Sequence, residues 1–229
     1  MARQDYPQEV IDNVVCFVDG KAKILDLGCG TGIATRQLAQ NGFEIFACDS
    51  DEKMIDEAKK YSKENIHYLK SEASNLIFDT EFFDLATTFG AFHWFCDEPS
   101  VNEIRRVMKP DSFFCIVNKN DVGNFKKDFS EIIYKMVGKK ISSVKDAYDP
   151  VSIIKKYGFR DVKENEMKTS EYFTIDKALL QFQSMHLWNY VPEELRKNTL
   201  ESLKKHFISL LGDGLVRRDI EVVTVVGRK

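Results

Sequence analysis

The sequence is poor in the residues that build metal and disulfide frameworks. Its five cysteines, Cys16, Cys29, Cys48, Cys96 and Cys115, never fall in a Cys-x-x-Cys spacing. No cluster has metal-ligand order, so no catalytic metal is expected, and the cysteines read as reduced core residues of a cytoplasmic protein. No uninterrupted apolar run is long enough to span a membrane, and the first residues lack a secretory apolar stretch, so no membrane partner is expected. An internal repeat, a low-complexity linker and a concentrated basic stripe are all missing. The last absence argues against nucleic acid as a partner.

What is present is a chain of 229 residues whose net charge of −3 hides an imbalance. Residues 1–118 hold 12 Lys or Arg against 20 Asp or Glu, and residues 119–229 hold 21 against 16. The positive second half suits an anionic small substrate, or is simply a solvated lysine-rich surface.

The most informative stretch runs from Lys23 to Arg36. Apolar Ile24, Leu25 and Leu27 lead into Gly28, Gly30 and Gly32, and then into a segment able to wind as a helix. A buried strand, a tight turn and a helix start in succession admit a ligand close to backbone. Ile33 stands where a dinucleotide fingerprint needs its third glycine, and no Gly-Lys-Ser/Thr follows, so neither a nicotinamide site nor a P-loop fits well.

Around this stretch the pattern alternates strand and helix. Helical spacing of Val10, Ile11, Val14, Val15 and Val18 predicts a helix over 7–18. Strands are expected at 23–27, 43–48, 66–70, 82–89 and 112–117, with helices at 33–41, 51–62 and 98–107 between them. Later helices are expected at 124–140, 150–157, 175–187 and 193–211, an extended stretch at 159–173, and a last strand at 219–227. The fold class is therefore α/β: a Rossmann-like, seven-stranded, mostly parallel sheet with a C-terminal antiparallel strand, helices on both faces and a helical insertion before the last strand. The chain divides into an N-terminal helix with a lid candidate (1–22), a core (23–173), a helical substrate cover (174–213) and the final strand (214–229).

In such sheets ligands sit at the carboxyl ends of strands. Asp49, 21 residues after Gly28, is placed to accept both ribose hydroxyls, or else to cap a helix. Glu72 could meet an exocyclic amino group and the Ala73 N–H a ring nitrogen. Phe89 ends the fourth strand, and Gly90-Ala-Phe-His-Trp-Phe95 follows it. His93 is the candidate catalytic base or orienting donor there, and Trp94 a substrate wall. Arg3 and Tyr6 belong to a segment able to close over the site. Trp188 is read as interhelical core or substrate lining. Of Arg217 and Arg218, adjacent in a strand, only one should point inward and meet an anion.

These residues carry a family resemblance. Asp26-Leu-Gly-Cys-Gly-Thr-Gly32 resembles motif I of the class I S-adenosylmethionine-dependent methyltransferases, and Cys48–Met54, Ser71–Phe78, Phe83–Ala86 and Glu103–Pro110 resemble the family's later segments. The resemblance implies S-adenosylmethionine as cofactor and S-adenosylhomocysteine as product. It also implies that Asp26 and the glycines surround the methionine moiety, Asp49 holds the ribose and Met54 contacts adenine. Ile77 replaces a frequent proline, and Asp111-Ser112 a frequent Gly-Gly. Arg3-x-x-Tyr6-Pro7, Phe92–Phe95 and Gly214–Arg218 resemble the trans-aconitate-type branch, in which the tyrosine segment folds over the cofactor. A small-molecule acceptor, with a carboxylate among the candidates, is then expected. An NAD(P)-linked oxidoreductase and a non-catalytic cofactor-binding protein are the rival readings.

Overall fold

Short apolar strands need both faces covered, and the chain supplies a helix after nearly every one. The computed structural model describes residues 3–138, 148–211 and 213–229. Seven strands, β1 (Lys23–Leu27), β2 (Glu44–Asp49), β3 (Ile66–Lys70), β4 (Phe83–Phe89), β5 (Met108–Asp121), β6 (Arg160–Phe173) and β7 (Val216–Arg228), form one sheet in the order β3-β2-β1-β4-β5-β7-β6. The pairs from β3 through β5 are parallel. The last strand runs the other way: Lys229 N–H donates to Ser112 O at 2.9 Å, and Val122 N–H to Asp219 O at 3.1 Å. Strand order reverses between β1 and β4, where Leu27 lies beside Thr88. That switch point opens a crevice at the strands' carboxyl ends.

Among the described residues the helices are α1 (Gln8–Val15), α2 (Ile33–Leu38), α3 (Glu52–Lys59), α4 (Glu98–Val107), α5 (Phe125–Val137), α6 (Pro150–Lys156), α7 (Ile175–Gln183) and α8 (Glu193–Ser209). Asp51, Asp97 and Asp149 each accept a backbone N–H of the first turn they cap. None of the helices is long and apolar enough to cross a membrane.

Two compact units emerge. One draws its residues from Asp5–Asn118, Tyr148–Glu166 and Val222–Lys229. Its core packs Leu25, Leu27, Phe83, Phe92, Ile104, Phe114 and Ile154. The other draws its described residues from Met1–Gln4, Lys119–Ala147 and Met167–Glu221. Its core is an aromatic cluster, with Phe125 stacked on Phe182 at 4.6 Å and Phe129 against Phe182 at 4.2 Å.

Several sequence expectations need correction. The helix expected over 175–187 stops at Gln183, because the Ser184 hydroxyl donates back to Gln181 O at 2.7 Å and Met185 turns extended. A separate 3₁₀ turn, His186–Tyr190, follows. Strand five begins at Met108 rather than 112, since Pro110 forbids helix in the residue before it, and the pairing with β4 slips between Phe83 and Leu85. Of the five cysteines only Cys48 and Cys115 are buried; Cys16 is exposed and Cys29 and Cys96 are intermediate. The helix expected over 124–140 ends at Val137, and positions 139–140 lie outside the described residues.

Candidate active site

The turn after β1 is built from three left-handed glycines, Gly28 (φ 65°), Gly30 (φ 53°) and Gly32 (φ 76°). Two of them are sealed by packing. A methyl group on Gly28 would collide with Ala91, and one on Gly32 with the Tyr68 hydroxyl. Gly30 differs: a Cβ there meets nothing within 4 Å. The crest of the loop therefore faces open space, while its flanks have no room for a side chain.

Asp49 holds that crest. Its Oδ2 accepts the Gly30 N–H at 2.8 Å and its Oδ1 the Asp51 N–H at 2.9 Å. Asp51, not Asp49, caps α3 by accepting Lys53 N–H at 2.9 Å. Asp49 thus keeps acceptor capacity on both oxygens for paired hydroxyls. Asp26 lies beneath the loop, 1 % exposed, accepting from Thr35 Oγ1 at 2.6 Å and Thr87 Oγ1 at 3.3 Å. Burial pushes its pKa up to about 7, against the opposing pull of those two hydroxyls. Sequence reading missed both threonines. Their signal was faint: two hydroxyls in otherwise apolar segments, each facing the one acid in β1.

After β3 the chain turns through Ser71–Asn75, with Ser71 N–H donating to Asp49 O at 3.1 Å and Asn75 N–H to Glu72 O at 3.1 Å. Ser50, Lys70, Ser71, Glu72, Asn75 and Ile77 line a cavity of about 260 Å³ there. Glu72 therefore stands at the crevice edge, Ala73 packs partly on the core, and Met54 is exposed on α3. A larger cavity, about 510 Å³, lies at the opposite strand ends between Phe17, Lys21, Asp84, Lys109 and Phe113, where no candidate residue stands.

At the end of β4 the Tyr6 ring meets Phe89 edge-on at 4.9 Å, and its hydroxyl lies 3.7 Å from where a Gly90 Cβ would be. Phe92 is wholly buried against Phe114 at 5.4 Å, which anchors the following turn. His93 then sits between Trp94 (4.7 Å) and Tyr148 (5.9 Å, edge-on). Trp94 itself is 67 % exposed, while burial pushes the Tyr148 phenol upward. Tyr148 is a third residue that sequence reading missed. It follows a stretch without a recognisable motif.

The remaining candidates belong to the other unit. Alternation along β7 turns Arg218 inward and Arg217 outward, as adjacent strand residues require. Arg218 is already engaged: its Nε donates to Asp121 at 3.0 Å and its Nη1 to Glu171 at 2.9 Å. Glu171 also accepts from Lys119 at 2.8 Å. Arg217 is exposed and paired with Asp219 at 2.8 Å. Trp188 is 7 % exposed within the aromatic core. These residues lie among packing and ion pairs, whereas the glycine loop, Asp26, Asp49, Glu72, Tyr6, Phe89 and His93 lie at the carboxyl ends of neighbouring parallel strands or against them.

S-adenosylmethionine fits the latter set. Gly30 leaves open space at the crest, Asp49 keeps acceptors of the kind a ribose needs, and among the described residues no cation pairs with buried Asp26.

Residues 25–116 match the family model described as a methyltransferase domain. An uncharacterized methyltransferase of Schizosaccharomyces pombe is 28% identical over 199 residues, covering 84% of this chain and 77% of that protein. The malonyl-[acyl-carrier protein] O-methyltransferase of Salmonella typhimurium is 31% identical over 106 residues, 45% of this chain and 42% of that one. In fold, a solved structure assigned as a type II methyltransferase from Anaeromyxobacter dehalogenans superposes with a TM-score of 0.72 over 99% of this chain and 97% of that one, at 18% identity.

Proposed function

We propose that the chain is a class I S-adenosylmethionine-dependent methyltransferase that methylates a small molecule through a carboxylate oxygen held beside His93. The observation that carries this reading is the loop after β4, where one imidazole is set between an exposed indole and a half-buried phenol. Such an aromatic-walled place with few polar groups suits a small acceptor better than a polymer track.

Bound S-adenosylmethionine supplies an electrophilic methyl group on a sulfonium. The protein's part is alignment and exclusion of water. Gly28 and Gly32 pack closely against Ala91 and Tyr68, and Asp49 accepts the Gly30 N–H at the crest. Tyr6 and Phe89 wall the end of β4 against solvent. His93 orients the acceptor. A carboxylate nucleophile is already ionised near neutral pH, so the imidazole need donate only a hydrogen bond and not take a proton. The Salmonella relative, whose name gives O-methyl transfer to malonyl-[acyl-carrier protein], is compatible with such an oxygen acceptor. Arg218, shared between Asp121 and Glu171, is less suited to an acceptor anion than the sequence suggested, which leaves the orienting duty to His93.

Methyl transfer to a panel of acidic metabolites, neutral phenols and amines tests the reading. Activity confined to carboxylates, with His93→Asn lowering acceptor capture more than S-adenosylhomocysteine affinity, is expected. Activity confined to amines or phenols would overturn the carboxylate.

A further inference from the structure

Buried polar side chains must find partners, and one in the cofactor-binding unit finds them both in a single residue. Gln37, in α2, is 8 % exposed. Its Oε1 accepts the Tyr6 N–H at 2.9 Å, and its Nε2 donates to the Tyr6 carbonyl at 2.8 Å. A side-chain amide carries the same donor and acceptor as a peptide, so this reciprocal pair imitates one rung of a β-ladder. Turning the amide over would set oxygen against oxygen and N–H against N–H, so the pairing fixes its orientation.

Ahead of Tyr6, Arg3 donates to Ser184 O at 3.1 Å and Gln4 Nε2 to Tyr172 O at 2.6 Å. Pro7 follows in an extended conformation (φ −52°, ψ 138°) and has no N–H to give. Only from Val10 onward do buried apolar residues, Val10, Ile11 and Val14, anchor α1. With its backbone clamped, Tyr6 presents its ring to Phe89 at 4.9 Å and its hydroxyl toward Gly90. Gly90 begins the turn whose Ala91 packs against Gly28 of the glycine loop.

We propose that Gln37 is a positioning residue for methyl transfer, holding Tyr6 in place over the cofactor's end of β4 before the cofactor arrives. The proposal rests on the methyltransferase reading above. Gln37 does not itself reach the crevice; it acts through Tyr6. Ordering the segment during folding spares the cofactor the entropy of ordering it on binding.

Gln37→Met keeps length and volume and removes both bonds, while Gln37→Glu keeps the acceptor and loses the donor. In the ligand-free protein, hydrogen exchange of the Tyr6 amide should be slow in the wild type and about tenfold faster in Gln37→Met, the β1 and β4 amides staying protected. Calorimetry with S-adenosylhomocysteine should show affinity weakened roughly tenfold in Gln37→Met and less in Gln37→Glu, matching the loss of two and of one neutral hydrogen bonds. Tyr6→Ala should weaken binding similarly, and adding Gln37→Met to it should cost nothing further. Unchanged Tyr6 exchange in Gln37→Met overturns the clamp, as does unchanged affinity in that variant when Tyr6→Ala binds weakly. Unaltered binding in Tyr6→Ala removes Tyr6 from the cofactor and the clamp with it. A wild type that does not bind S-adenosylhomocysteine fails the underlying reading instead.

Discussion

Asp26 and Arg218 are both buried, at 1 % and 8 % exposure, yet their surroundings differ in kind. Arg218 sits between Asp121 and Glu171, and Glu171 also meets Lys119, so two cations and two anions balance. Among the described residues Asp26 is met by the hydroxyls of Thr35 and Thr87 and by no cation, and burial pushes its pKa up to about 7. A balanced buried network holds a fold together. A buried acid without a cation carries an electrostatic cost that a positively charged ligand can relieve.

The comparison breaks most readily at Arg218. Arg218→Ala takes a buried guanidinium away from Asp121 and leaves Glu171 with Lys119, and breaking a buried pair of this kind typically costs about 3–5 kcal/mol. Chemical denaturation should show that loss, with S-adenosylhomocysteine affinity unchanged in whatever fraction stays folded. A variant as stable as the wild type would mean that the quartet is idle.

Asp49→Ala should show the reverse pattern. Removing a carboxylate that reaches both the loop crest and the expected ribose should weaken S-adenosylhomocysteine by about 1.5–3 kcal/mol, or roughly 10- to 150-fold, measured calorimetrically. The melting temperature of the ligand-free protein should move far less than in Arg218→Ala. Equal binding by Asp49→Ala would remove Asp49 from the site.

Arg217→Glu is the smallest expected effect. Its guanidinium is exposed and paired only with Asp219, two residues away. Melting temperature and acceptor kinetics should both stay at wild-type values. A selective loss of acceptor capture would restore Arg217 as an anion anchor.

The same contrast explains what the sequence made legible. Positive φ in a tight turn requires glycine, so Gly28, Gly30 and Gly32 announced themselves, and an acid at the end of an apolar strand announced Asp49. The strand–helix alternation likewise fixed β1 and β3 to the residue. Hydroxyls and amides do not announce themselves. Thr35, Thr87 and Gln37 were not singled out in the sequence. Their roles depend on partners 9, 61 and 31 residues away in the chain. Trp188 was placed by assuming helical spacing through Gln183–Tyr190, which fails where the chain breaks at Ser184 and re-forms as a 3₁₀ turn. Alternation required one of Arg217 and Arg218 to point inward but named neither which one nor the carboxylate neighbours of Arg218, which come from two other strands.

Asp26 ties the electrostatic argument to the cofactor. Because its folded-state pKa lies above the ordinary 3.8, the native protein binds this proton more tightly than the unfolded chain. Its contribution to stability is thus present below that ordinary value and lost as pH rises through about 7. A cofactor ammonium near Asp26 would favour the charged form and expel the proton. The direct measurement is calorimetric titration of S-adenosylhomocysteine at a pH just below 7, in buffers of different ionisation enthalpy, with wild type and Asp26→Asn. The account predicts binding by the wild type with net proton release, and weaker binding with no release by Asp26→Asn. Wild-type binding without proton release, or release that persists in Asp26→Asn, would contradict it.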